Sequence, residues 1–255
     1  MLMIDPKYEG FYGSIGRVGK GSVQTVFYHL FGFPIFPQDT FWVIGSTLTS
    51  FGDLKIMELK RSVPSIVTGY LRGWATSGSL WTSAVGIFCV LVVKTPAFDG
   101  DPMPFGRTVI GPVLLAIGAL AAIAAVVIWA LTRRAPSADE LARRAVFQAL
   151  IGTSCDPAML KDPWSRRDDL KRAMTSLAEG FGLGREFDGW PQIVQRQDIG
   201  LPPQYLKMAL TVARLERSAP AKTTDVGLLP QLEEVIWQRL NAVDPSVRNA
   251  RPDGA

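Results

Sequence analysis

The apolar positions along the chain fall into three regimes. In the middle lie two long stretches without a charged residue. Residues 109–131 read VIGPVLLAIGALAAIAAVVIWAL, and residues 74–93 read WATSGSLWTSAVGIFCVLVV, bracketed by Arg72 and Lys94. A helix of ~20 residues crosses the ~30 Å hydrocarbon core of a bilayer. The pattern predicts a transmembrane hairpin over about 74–93 and 109–131, with Pro112 in the first turn of the second span and Trp129 at interface depth. The segment before it, PSIVTGYLRGW, has Ile66, Tyr70 and Trp74 on one stripe. It is expected to be an amphipathic lead-in helix that continues into the first span, so that residues 63–132 form one membrane unit.

Upstream the pattern turns to β. SVQTVFYHL, DTFWVIGST and DLKIMELK are rich in β-branched and aromatic residues and read as strands of a small antiparallel module over residues 22–62. Pro34 and Pro37 in FGFPIFPQ argue against a central strand there. Residues 1–21, with Gly10, Gly13, Gly16 and Gly19, are expected to form a flexible loop. Downstream, over residues 135–244, apolar positions recur every three or four residues. Four helices are expected: one after a Ser137/Glu140 capping box, one from about Ser165 to Glu179, one after Pro202–Pro203 and one through LLPQLEEVIWQRL. Residues 245–255 read as a disordered tail. The expected fold class is membrane α+β: a two-helix transmembrane hairpin between an N-terminal antiparallel β module and a C-terminal cytoplasmic helical domain.

Small residues in the spans are spaced for close helix packing. Gly78, Thr82 and Gly86 recur every fourth position, and Gly118, Ala122 and Ala125 share a face of the second span. Such spacing lets helix backbones approach inside lipid, either within the hairpin or against another membrane subunit. Neither span carries an acid, base or histidine, which argues against a proton relay or a transporter acting alone. Lys55, Lys60, Arg61 and Arg72 precede the hairpin, and Arg133, Arg134, Arg143 and Arg144 follow it. The start of the chain does not resemble a secretory signal. Positive-inside reasoning therefore expects both termini in the cytoplasm, a multi-pass inner-membrane protein and a loop 95–107 facing outward.

Composition narrows the chemistry. The 255 residues carry a net charge of only +4, with acids interleaved among the bases, which excludes a nucleic-acid partner. Cys89 and Cys155 are far apart and His29 stands alone among histidines, so no cysteine- or histidine-based metal site or disulfide framework is expected. GSIGRVGKGS imitates a phosphate loop, but Ser14 stands where the first glycine is needed and Gly21 where Ser or Thr is needed. No cofactor is expected. Glu233 and Glu234 read as solvated charge, and Trp164, Phe181, Phe187 and Trp190 as loop aromatics that pack the ends of the bundle.

Thr25, Phe27, His29, Leu30, Pro34, Pro37, Phe41 and Trp42 together form a T-x-F-x-H-L…P-x-x-P module followed by an aromatic strand. It resembles uncharacterised bacterial two-span membrane proteins, and is similar to the apolar half of small zinc-ribbon membrane proteins whose cysteine pairs are absent here. The resemblance implies no activity. These readings lead to a non-catalytic inner-membrane scaffold, assembly factor or accessory subunit. Its expected partners are membrane lipid and a membrane protein or a second copy. The alternative is a membrane-surface enzyme or a small-molecule or lipid sensor, with His29, Arg72 and Cys155 as candidate residues.

Overall fold

The computed structural model describes residues 9–44, 55–92, 109–132, 136–183, 189–196, 198–218 and 227–252. An antiparallel four-stranded sheet, β1 (Glu9–Val18), β2 (Gly21–Leu30), β3 (Phe33–Ile44) and β4 (Lys55–Leu59), has the order β1-β2-β3-β4. Two long helices follow, α1 (Val63–Val92) and α2 (Gly111–Thr132). Then come α3 (Ala138–Ile151), α4 (Trp164–Gly180), α5 (Trp190–Gln195), α6 (Pro203–Glu216) and α7 (Leu229–Val243). The chain divides into two compact units. One holds most of β1–β3 with α1 and α2, and the other holds the rest of the sheet with α3–α7.

In the first unit the lead-in segment and the first span are one 30-residue helix, as expected. Its start is fixed locally. Ser62 accepts from the Ser65 amide through its hydroxyl at 3.3 Å, the geometry of an N-cap, and Pro64 falls in the first turn. A four-residue ladder of small side chains, Ser65, Gly69, Gly73 and Ser77, lets the sheet lie close against α1. A methyl group at Gly69 would meet the Phe27 ring, one at Gly73 would meet Pro34, and one at Gly13 would meet the Ser65 carbonyl. At the top of this contact the Thr25, Thr40 and Ser65 hydroxyls bond one another, and Ser65 donates to the Gly13 carbonyl at 2.9 Å.

The other end of the sheet is the β2–β3 turn, Phe31–Gly32, with both residues at positive φ (51° and 85°). An aromatic in the left-handed region costs an L-residue about 1–2 kcal/mol, and Asn or Gly is the usual occupant of such a turn. Four carbonyls here take side-chain donors. Trp81 Nε1 donates to Phe31 O at 3.0 Å, and Trp74 Nε1 to Pro34 O at 3.1 Å. Tyr70 OH donates to Ile35 O at 2.7 Å. Gly32 O accepts from Ser77 Oγ at 2.6 Å and from Tyr12 OH at 3.3 Å. Tyr70, Trp74, Ser77 and Trp81 are spaced 4, 3 and 4 apart, one stripe of α1.

Three expectations about the β module change. The glycine-rich stretch expected as a loop is strand β1 from Glu9 onward. Its Gly13 and Gly16, at φ 70° and 58°, supply bends that other residues resist. Gly19 and Lys20, the core of the phosphate-loop imitation, form the two-residue β1–β2 turn. Pro34 and Pro37 lie inside β3, an interior strand of the sheet order. With five residues against twelve, β4 can pair with only part of β3, which leaves room for prolines that donate nothing to a ladder.

In the second unit α6 is the central helix, buried along nearly its whole length, with α3, α4 and α7 around it. Ser137 caps α3 by accepting from the Glu140 amide at 3.2 Å, and Gly152 ends it at φ 73°. Two elements escaped the periodicity. Trp190 opens the short helix α5 where a loop was expected. The tail forms a 3-10 turn at Pro245–Asn249 that buries Val247. A single apolar anchor in a polar run leaves no periodic trace. Residues 1–8, the loop 95–107 expected to face outward, Arg133, Arg134, Phe187 and residues 253–255 lie outside the described residues.

Candidate functional site

The small residues of the two spans meet inside the hairpin. On α2 the less exposed positions are Gly111, Gly118, Ala125 and Thr132, seven apart, with Leu114, Ala121 and Ile128 between them. On α1, beside the residues that face the sheet, Arg72, Ser79 and Gly86 repeat at the same spacing, with Ala75, Thr82 and Cys89 between them and Ser83 and Val90 against Gly118 and Gly111. This heptad spacing is that of helices packed at a shallow left-handed angle. A methyl group at Gly86 would meet Leu115 at 3.0 Å, and one at Gly118 would meet Ser83 and Thr82. Ser79 donates to the Gly118 carbonyl at 3.0 Å. Of the residues singled out by spacing, Gly86, Gly118 and Thr82 lie in this contact. Gly78 faces open space and offers its carbonyl to the Thr82 hydroxyl at 2.7 Å. Ala122 is exposed and Ala121 stands in the contact. A strict four-residue step drifts ~40° per turn around a helix of 3.6 residues per turn, so alternating steps of three and four are needed to stay on one seam.

Arg72 closes the open end of the hairpin. Its Nε donates to Thr132 Oγ1 at 3.0 Å and its Nη1 to the Ser14 carbonyl at 3.0 Å, tying β1, α1 and α2 together. His29 is half-buried on β2, its ring 6.3 Å from that of Tyr12 in an edge arrangement. The period of two along a strand puts Phe27 and His29 on one face against Tyr12, and Phe27 also packs on Tyr70. Phe31 is not on that face, because it has left the strand for the turn.

The helical unit contains what sequence reasoning missed. Glu233, expected to be solvated, is 2% exposed. It pairs with Arg143 at 3.1 Å, Arg214 at 2.5 Å and Arg217 at 3.4 Å. Arg214 in turn reaches Glu140 at 3.1 Å and Asp156 at 3.4 Å, and its guanidinium lies over the Phe147 ring. Burial alone would pull Arg214 down, but Asp156, Glu233 and Glu140 more than offset it and hold the group above its ordinary value. The Glu140 carboxylate, expected to fold back on its own cap, serves Arg144 and Arg214 instead. Arg143 and Arg144 are thus built into this lattice. No local signal announces it, because Arg143 and Glu233 are ninety positions apart.

The helical unit also holds a cavity of ≈ 300 Å³ lined by Lys171, Met174, Thr175, Trp190, Ile193 and Tyr205, with Ala178 and Gly189. Lys171 pairs with Glu216, which is fully buried. Burial pushes the Tyr205 phenol up to about 12, so it stays a neutral donor. Cys155, a candidate residue of the enzyme reading, is fully buried. Burial pushes its thiol up to about 11, the reverse of what an attacking thiolate needs. Among the described residues no group of three His, Cys, Asp or Glu side chains is placed to hold a metal ion. No protein-family model matches the chain, and neither curated proteins nor solved structures provide a match.

Proposed function

We propose that this chain is a two-span inner-membrane scaffold or accessory subunit whose rigid helical unit presents a fixed cytoplasmic surface to a membrane-protein partner or a second copy. The observation that carries the reading is how the helical unit uses its buried charge. Glu140, Asp156 and Glu233 are consumed by Arg143, Arg144, Arg214 and Arg217, which gives shape and leaves these groups engaged with one another. α1 and α2 are long and apolar enough to cross a bilayer. Arg61 and Arg72 at one end of the hairpin, with Arg133 and Arg134 following α2 in sequence, favour both termini in the cytoplasm. Native mass spectrometry of the full chain, released from bilayer into mild detergent, tests the proposal. A stoichiometric complex or homo-oligomer is expected; a strictly monomeric chain without a partner contradicts it.

A second reading rests on the cavity. A pocket of ≈ 300 Å³ whose lining is largely apolar and includes Lys171, Thr175 and Tyr205 suits a small anionic or hydroxylated ligand. A metabolite that raises the melting temperature of the native chain but not of Tyr205→Phe would favour a sensor over a scaffold.

A further inference from the structure

The β2–β3 tip combines features that conflict in water and agree in lipid. Its outward side chains are apolar: Phe31 is 71% and Phe36 66% exposed, and Tyr28, Leu30 and Ile35 are exposed beside them. Its backbone is provided for from within. Phe31, Gly32, Pro34 and Ile35 carbonyls accept from Trp81, Ser77, Tyr12, Trp74 and Tyr70. Pro34 and Pro37 remove two amides that would otherwise need an acceptor. Irregular backbone at membrane depth is tolerated only where protein satisfies its polar groups. In water neither arrangement is required, since solvent would serve the carbonyls, and a turn with Asn or Gly would avoid the left-handed Phe31.

The level of the tip along α1 points the same way. Trp81 to Val92, the part of the helix beyond the tip, measures only ~18 Å at ~1.5 Å per residue, well short of the ~30 Å core. The full apolar length is recovered only by counting back to the level where Arg72 meets Thr132, which takes in Trp74, Ser77 and Trp81. Counted from Arg72, Trp74 lies ~3 Å into that length, the depth of interfacial aromatics, and Trp81, which bonds the turn itself, lies ~14 Å in.

We infer that the β2–β3 turn dips into one leaflet of the bilayer beside α1, with Phe31, Phe36 and Leu30 in the acyl region of that leaflet. The occupant of this apolar face is lipid, and its surface is continuous with the lipid-facing sides of the two helices. The inference rests on the membrane reading of α1 and α2, and the test separates the two.

The full chain, with Cys89→Ala and Cys155→Ala, carries single cysteines in turn: Phe31→Cys, Leu120→Cys on the exposed face of α2, and Lys20→Cys at the other end of β2. Each is labelled with an environment-sensitive fluorophore and reconstituted in phosphatidylcholine vesicles whose acyl chains bear a quencher at defined depths. The label at 31 is expected to be quenched by acyl-chain groups ~14 Å below the Arg72 level, the length of nine helical residues from Arg72 to Trp81. The label at 120 should be quenched at a similar depth, because Ser79, Thr82 and Ser83 meet Gly118 at the Trp81 level, and that at 20 by aqueous iodide alone. If the label at 120 escapes lipid quenching, the membrane reading itself fails. If 120 is quenched by lipid and 31 only by iodide, the dipping tip is overturned while the spans stand. Should the cysteine-free background not fold, p-benzoylphenylalanine replaces Phe31 in the native chain in the same vesicles. Crosslinking to phospholipid supports the inference; crosslinking only to a second protein chain, or to neither, overturns it.

Discussion

The two units solve one problem, buried polar groups, by opposite means. Where α1 meets the sheet and α2, the polar atoms are hydroxyls, indoles and carbonyls, the seam is Gly, Ser, Ala and Thr, and the one guanidinium, Arg72, sits at the end. In the helical unit the interior polar atoms are formal charges in a closed lattice. A charge removed from solvent costs several kcal/mol whatever surrounds it, and is tolerated where partners converge from several elements. A two-helix hairpin has few elements to converge, so neutral donors suit it better.

Substitutions that exchange the two solutions should break the contrast, and the largest effect is expected in the lattice. Glu233→Ala removes the buried carboxylate shared by Arg143, Arg214 and Arg217, leaving Arg143 with Glu234 and Arg214 with Glu140 and Asp156, and should destabilise the helical unit by about 3 kcal/mol, since part of the buried charge is left uncompensated. Glu234→Ala, next along the helix but exposed, should cost no more than about 1 kcal/mol by denaturant titration. Equal effects would mean that the lattice does not hold the unit together.

Next in size is the seam. Gly118→Leu drives a side chain into Ser83 and Thr82, and should cost about 1–3 kcal/mol in thermal unfolding in detergent, as overpacking does. Ala122→Leu, on the exposed face, should stay within about 0.5 kcal/mol. A reversal would move the helix contact back to the face read from four-residue spacing.

Smaller effects come from the donors to the tip. Trp81→Phe keeps the ring and removes the indole N–H, leaving the Phe31 carbonyl without that donor at about 1 kcal/mol. Phe31→Asn should shift stability the other way in detergent, by up to about 1 kcal/mol, because Asn accepts the left-handed turn. The smallest effect is electrostatic. The Ser246 hydroxyl, with Lys207, holds the Asp244 carboxyl below its ordinary 3.8. The folded value is depressed, so this contribution is present above about pH 4 and lost as pH falls below it. Asp244→Asn should flatten that acid limb slightly.

Legibility in the sequence followed the range of the forces involved. The spans, the α1 continuation and the four longer helices were readable because apolar periodicity and missing charge are local. The strands were readable in kind, but Pro34 and Pro37 misdirected the placement of β3, since their role depends on donors forty positions away. The Ser65–Gly69–Gly73–Ser77 ladder has the same four-residue spacing as Gly78, Thr82 and Gly86, and only the sheet packed on it distinguishes the two. The charged lattice was invisible, because only the tertiary fold brings Arg143, Arg214 and Glu233 together.

The central claim, that α2 meets lipid on its outer face and protein on its heptad seam, is tested most directly by a spin-label scan along α2 of the full chain in nanodiscs. Oxygen and a water-soluble nickel chelate would serve as competing relaxants. The account predicts oxygen-dominated relaxation at Val113, Ile117, Leu120, Ile123 and Val127, greatest near Leu120, and immobilised labels at Gly118 and Ala125. Nickel-dominated relaxation at Leu120 and its neighbours would contradict it.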